Sequence, residues 1–252
     1  MKKVLQLLYS TILIFGGTFM NLTNKQIRAK ARHLLDDNIF GKDWLKSILL
    51  VLLMILIVGF SGGVLTYLAD SFLLPFLIKQ FAGYSKLLSY IIPILIYLIE
   101  ALALNILIGP ILVGLSAVHL DLVRGDGKIK ISHFFYGFRE FWDNFQIGMM
   151  YLLHTLLWSL LFVIPGIYMS YSYAMAFFVK KDHPEYTWKQ CFDESELLMD
   201  GNRWKLFTLQ LSFIGWFFLG GIAFFGIGSL WVYPYQAVST AVFYDDIKRA
   251  KL

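Results

Sequence analysis

The sequence predicts an all-α, polytopic membrane bundle of about six transmembrane helices, with short amphipathic helices lying at the interface. Three observations carry this. First, 58% of the residues are hydrophobic and only 15% are charged, where a soluble domain carries about a quarter charged residues. Second, the apolar residues come in blocks such as LLSYIIPILIYLIEALALNILIG and LQLSFIGWFFLGGIAFFGIG, on the scale of the roughly 20 residues a helix needs to cross a bilayer core. Third, Lys and Arg gather in short segments between these blocks, as the positive-inside rule requires. The formal net charge of +5 is therefore read as membrane topology, and no nucleic-acid partner is expected.

Residues 1–19 form the first puzzle. MKKVLQLLYSTILIFGGTFM has the basic start and apolar centre of a signal peptide but no A-x-A-like cleavage site. Treating Val4–Phe19 as a span would place Lys25, Arg28, Lys30, Arg32, Lys42 and Lys46 outside, against the positive-inside rule. Residues 1–19 are thus expected to be an N-terminal extension, an upstream translation or signal-like segment. Residues 20–252 are expected to be a single integral membrane domain starting at Met20, with Thr23 or Asn24 as the first helix N-cap.

The remaining elements follow from the charge map. Trp44–Leu68 leads out, Asp70–Lys86 lies outside, and a helix from about Leu87 to Leu120 returns to the basic segment DLVRGDGKIKISHFFYGFREFWDN. The apolar stretch Phe145–Val179, 35 residues between two basic segments, is too long for one ordinary span and must be a hairpin, with its turn at Ile164–Gly166. Phe207–Tyr244 repeats the device with a turn at Phe224–Gly228, and Lys248, Arg249 and Lys251 follow. Both termini are then expected to lie in the cytoplasm.

Each hairpin is preceded by an amphipathic, aromatic-bearing segment: IRAKARHLLDDNIFGKDWLK, ISHFFYGFREFWDNF and FDESELLMDGNRWK. Such segments suit helices in the interface. The returning halves, GPILVGLSAVHLDL, PGIYMSYSYAMAFFV and GIGSLWVYPYQAVSTAVFYDD, are rich in small residues that let membrane helices approach closely. Together they suggest a threefold pseudo-repeat of interfacial helix plus hairpin. Trp44, Trp142, Trp188 and Trp204 are read as interfacial anchors.

The blocks LWSLLFVIPGIYMSYSYAMAFF, MDGNRWKLFTLQLSFIGWFFLG and GIGSLWVYPYQAVSTAVFYDDI resemble an integral membrane family of bacteria catalogued as domain of unknown function family 975. The resemblance runs from about Met20 to Lys248. It implies the fold and the location but no activity.

Candidate chemistry is sparse. Glu100, in IYLIEALALN, places a carboxylate deep in an apolar helix, where a charge is costly and marks either function or a helix-locking hydrogen bond. Asn105 lies five residues on. His154, in MMYLLHTLLWSLL, is the other ionisable group in an apolar run, and pairing with Glu100 across the bundle is one expectation. His119, Asp121 and His183 match no metal-ligand spacing, so neither a metal nor a cofactor is expected. Cys191 is the sole cysteine and forms no internal disulfide. GDG at Gly125–Gly127 reads as a turn. Without a G-x-S-x-G, H-E-x-x-H or phosphate-binding loop, the expectation is a non-enzymatic binding or accessory component of the membrane. Its partners would be the lipid bilayer together with a lipid, a peptide or another membrane protein. A small transporter using Glu100 and an intramembrane enzyme are the alternatives.

Overall fold

The computed structural model describes residues 22–81, 86–125, 128–222 and 226–251. The expectations for residues 1–19 and for the Met20 start, most of the Gly125–Gly127 turn and the first two residues of the Phe224–Gly228 turn lie outside the described residues. Every regular element among the described residues is helical.

Thr23 opens α1 (Asn24–Leu34) through a capping box with Gln26, as a Thr-x-x-Gln sequence allows. The chain turns through left-handed Asp36 and Asp37 into α2 (Lys42–Leu68), a π-helical turn (Ala69–Leu73) and α3 (Leu74–Phe81). The segment expected outside from Asp70 is therefore helical as far as Phe81. Pro75 lies two residues past the wide turn. A proline lacks an N–H and crowds the carbonyl four residues back, and the wider turn accommodates both. Helix α4 (Lys86–Arg124) returns, carrying Pro93 and Pro110 internally.

A 3-10 turn (Ile131–Phe138) leads to α5 (Phe141–Leu161), α6 (Val163–Ser172) and α7 (Ala176–Asp182). The hairpin expected in this stretch reverses at Phe162, whose backbone is extended, rather than at Ile164–Gly166. Pro165 instead occupies the first turn of α6, where its missing N–H would have had no partner. The return is broken again between Ser172 and Ala176. Buried Ser195 bridges that break: its hydroxyl donates to the Ser172 carbonyl at 2.8 Å and accepts from the Met175 N–H at 3.1 Å.

Helix α8 (Trp188–Met199) bears a second capping box, Thr187 with Gln190. Helices α9 (Arg203–Ile222) and α10 (Ser229–Lys251) complete the chain. Three described helical stretches are long and apolar enough to cross a membrane: Lys42–Phe81, Leu87–Arg124 and Arg203–Ile222.

The main core joins α1, the start of α2, the end of α4, the 3-10 turn, α7, α8 and α10 at one end of the bundle. That end also holds most of the charged residues and is called the charged end below. Backbones there touch. A Cβ on Gly109 would overlap Asn144, one on Gly148 would overlap Gly109, and one on Gly137 would overlap the Pro110 carbonyl. The small residues of GPILVGLSAVHLDL thus serve the close approach expected of them. Away from this end, α2, α3 and α4 form a hairpin with only a small second cluster around Ala69, Leu74 and Ile96. We call this the distal hairpin.

Trp44 departs from its expected place as an interfacial anchor. It is buried, and its indole N–H donates to the Trp231 carbonyl at 3.0 Å. Trp142 and Trp204 are exposed, 69% and 72%.

Candidate functional site

Two features of the charged end define a candidate site: a knot of ion pairs and a cavity beside it. The knot is built from helix ends that are far apart in sequence. Arg124, the last residue of α4, donates to both carboxylate oxygens of Asp182 at 2.6 and 3.1 Å and to Asp245 at 2.7 Å. Asp182, ending α7, also accepts from Tyr244 at 2.8 Å and Lys248 at 2.6 Å. Asp245 pairs with Arg249, and its neighbour Asp246 accepts from Lys205 of α9 and from the Leu22 N–H. Burial alone would raise the Asp182 pKa, but its hydrogen bonds from Arg124, Lys248 and Tyr244 hold it below the usual carboxylate range. Bidentate, charge-assisted bonds of this kind fix geometry as well as energy. The knot thereby sets the relative positions of α4, α7, α9 and α10.

Those four helices surround a cavity of about 280 Å³. Its polar lining comes from Ser116 and His119 on α4, Gln210 on α9, and Tyr233, Gln236 and Thr240 on α10, with Phe177 and Phe178 of α7 as an apolar wall. Three of these groups are tied down: His119 Nε2 bonds the Ser47 hydroxyl at 3.0 Å, Gln210 Oε1 accepts from Tyr171 at 2.9 Å, and Thr240 donates to the Gln236 carbonyl at 3.0 Å. The Gln236 side-chain amide and the Tyr233 hydroxyl have no hydrogen-bond partner among the described residues. A concave, part-aromatic site with a few convergent polar groups is the ordinary form of a small-molecule site.

Residues 160–251 match the model of a family described as protein of unknown function (DUF975). Over that stretch the chain resembles DUF975. The match includes the IPGI, SFIGW and VYPY blocks but begins well after Met20, so it is narrower than the resemblance expected from sequence. No curated protein and no solved structure matches the chain. The DUF975-like stretch supplies seven of the cavity residues, Phe177, Phe178, Gln210, Tyr233, Gln236, Ala237 and Thr240, and three acidic members of the knot, Asp182, Asp245 and Asp246. Helix α4, with His119 and Arg124, lies N-terminal to the matched stretch.

The residues singled out by sequence are not brought together. Glu100 lies in the distal hairpin, where Oε2 accepts from Thr66 at 3.2 Å while Oε1 is buried without a partner. One turn away, Tyr97 donates to Asp70 at 3.0 Å. Asn105 donates back to the Ala101 carbonyl of its own helix at 2.7 Å. His154 bonds the Met150 carbonyl at 2.8 Å and packs among the rings of Tyr173, Trp188 and Phe192. Glu100 and His154 share no hydrogen bond or ion pair among the described residues.

Asp121 pairs with His133 and Lys181. No group of three metal-ligating side chains occurs among the described residues. Cys191 is buried on α8, and burial pushes its thiol up to about 12. The cavity was invisible to sequence reading because its polar residues come from three helices far apart in the chain. The one local signal was the polarity of the returning half VYPYQAVST, read above as packing.

Proposed function

We propose that this is a six-span protein of the bacterial cytoplasmic membrane, its termini and charged end facing the cytoplasm, which binds a small polar molecule in the cavity between α4, α7, α9 and α10 without transforming it. The observation carrying this reading is the cavity itself, with the Gln236 amide and Tyr233 hydroxyl uncommitted and its walls held by the ion-pair knot. The antiparallel reversals at Phe162 and before Ser229 support six spans, and the basic residues of α1, α7 and α10 at one end support the orientation. The two Thr-x-x-Gln capping boxes, each opening a helix before a hairpin, support the pseudo-repeat.

The proposal is tested by purifying wild-type and Thr240→Phe protein and extracting each for mass spectrometry of small molecules. A species retained by wild type and lost from a variant that unfolds at the same temperature is the expected result. Identical extracts from two folded proteins would overturn it.

One observation favours a second reading. Glu100 Oε1 is buried without a partner, as an intramembrane proton site in a small transporter would be. Proton-coupled uptake abolished by Glu100→Gln would establish that alternative.

A further inference from the structure

A second, smaller cavity lies at the rim of the charged end, separate from the one above. Its volume is about 170 Å³, and Tyr136, Arg139, Glu140, Asn144, Lys180 and Pro184 line it. Three features indicate an occupant. The first is Asn144, 2% exposed. Its amide donates to the Gly137 carbonyl at 2.6 Å, while its Oδ1 is buried with no partner. A buried acceptor left empty costs about 1–3 kcal/mol, and this one calls for a donor from a ligand.

The second feature is the cationic side of the cavity. Arg139 is exposed at the rim and makes no ion pair among the described residues. It precedes the N-terminus of α5, where Glu140 at the cap position makes no capping bond, so first-turn N–H groups remain for an anion. Lys180, 1% exposed, donates to the Pro184 and Tyr186 carbonyls and sits 3.4 Å from Glu140. The cavity therefore offers cations beside acceptors: Arg139 and the helix start together with Glu140 and Asn144 Oδ1. Such a lining suits a ligand carrying a phosphate next to a hydroxyl or ammonium group.

The third feature is location. Phe135 and Trp142, 52% and 69% exposed, flank the cavity in sequence on the 3-10 turn and the first turn of α5. Exposed aromatics of this kind sit at headgroup level.

We infer that this cavity binds the headgroup of a membrane phospholipid, its phosphodiester at Arg139 and the start of α5 and its terminal donor at Asn144 Oδ1 and Glu140. The test is native mass spectrometry of the full-length protein in detergent with added dioleoyl phosphatidylethanolamine, with soluble glycerophosphoethanolamine in a parallel arm. Wild type is expected to retain one lipid saturably. Arg139→Gln, a surface change that leaves the core untouched, is expected to weaken retention about tenfold, the loss of one charge-assisted contact. Asn144→Ala is expected to weaken it further.

Equal lipid retention by wild type and folded Arg139→Gln would overturn the inference, as would no retention at all. Binding of the soluble compound at concentrations where the lipid does not bind would overturn the lipid assignment.

Discussion

The charged end and the distal hairpin are made from the same apolar alphabet yet held together by different means. At the charged end, Ile111, Val113, Leu122 and Ile147 are essentially inaccessible, and backbones meet at Gly109, Gly137 and Gly148. In the distal hairpin, Phe60, Tyr67, Ile94 and Leu98 are exposed, and Gly59 and Gly63 have nothing near the place a Cβ would occupy. Lipid can solvate the second arrangement because tails are as apolar as leucine. The first depends on contacts that only protein supplies. Hydrophobicity alone therefore does not distinguish a packing surface from a lipid-facing one, whereas glycine environment and polar pairing do.

The largest expected contrast is between glycines. Gly137→Ala drives a methyl into the Pro110 carbonyl and should destabilise by about 3 kcal/mol or prevent accumulation of folded protein. Gly63→Ala meets open space and should change stability by less than about 1 kcal/mol. Thermal unfolding of both in the same detergent measures the difference, and equal losses would break the comparison.

Next is the knot. Arg124→Met leaves Asp182 and Asp245 without their guanidinium; because Arg124 is a third exposed and Asp182 keeps Lys248 and Tyr244, the cost should be about 1–2 kcal/mol, between that of exposed and of buried pairs. Tyr97→Phe, which removes the exposed bond to Asp70 in the distal hairpin, should cost no more than about 1 kcal/mol.

A smaller effect is expected from pH. Asp182 is held below its ordinary value of 3.8. Its contribution is fully present above that value and is lost as pH falls through the lower, folded-state pKa. Unfolding temperature should therefore fall as pH drops below about 4, and Asp182→Asn, already destabilised, should show a shallower fall over the same range. Parallel curves would remove Asp182 from the account. The smallest effect concerns Cys191: buried, with its thiol pushed up to about 12, it should stay unmodified by maleimide at neutral pH until the protein is denatured.

Local features of the fold were legible in the sequence. Thr23 caps α1 because a Thr-x-x-Gln box is readable over four residues, and the hairpin in Phe145–Val179 followed from length and flanking charge. What escaped was non-local. Trp44 looked like an interfacial anchor, but its indole N–H is claimed by Trp231 on α10. The break after Ser172 depends on Ser195, 23 residues on, and Arg124 meets Asp182 and Asp245 only through the tertiary fold. Glu100 stood out in sequence because one carboxylate in an apolar run is conspicuous. The cavity residues did not, since Ser116, Gln210 and Gln236 are each ordinary in their own helix.

The most direct test of the central claim places single cysteines at Gln236 and Glu100 in a Cys191→Ser background and exposes inverted membrane vesicles to a membrane-impermeant thiol reagent. Labelling of Gln236→Cys, reduced by a bulky Thr240→Phe neighbour, with no labelling of Glu100→Cys, is the predicted result. Labelling of Glu100→Cys and a silent Gln236→Cys in folded protein would contradict it and move the binding site to the distal hairpin.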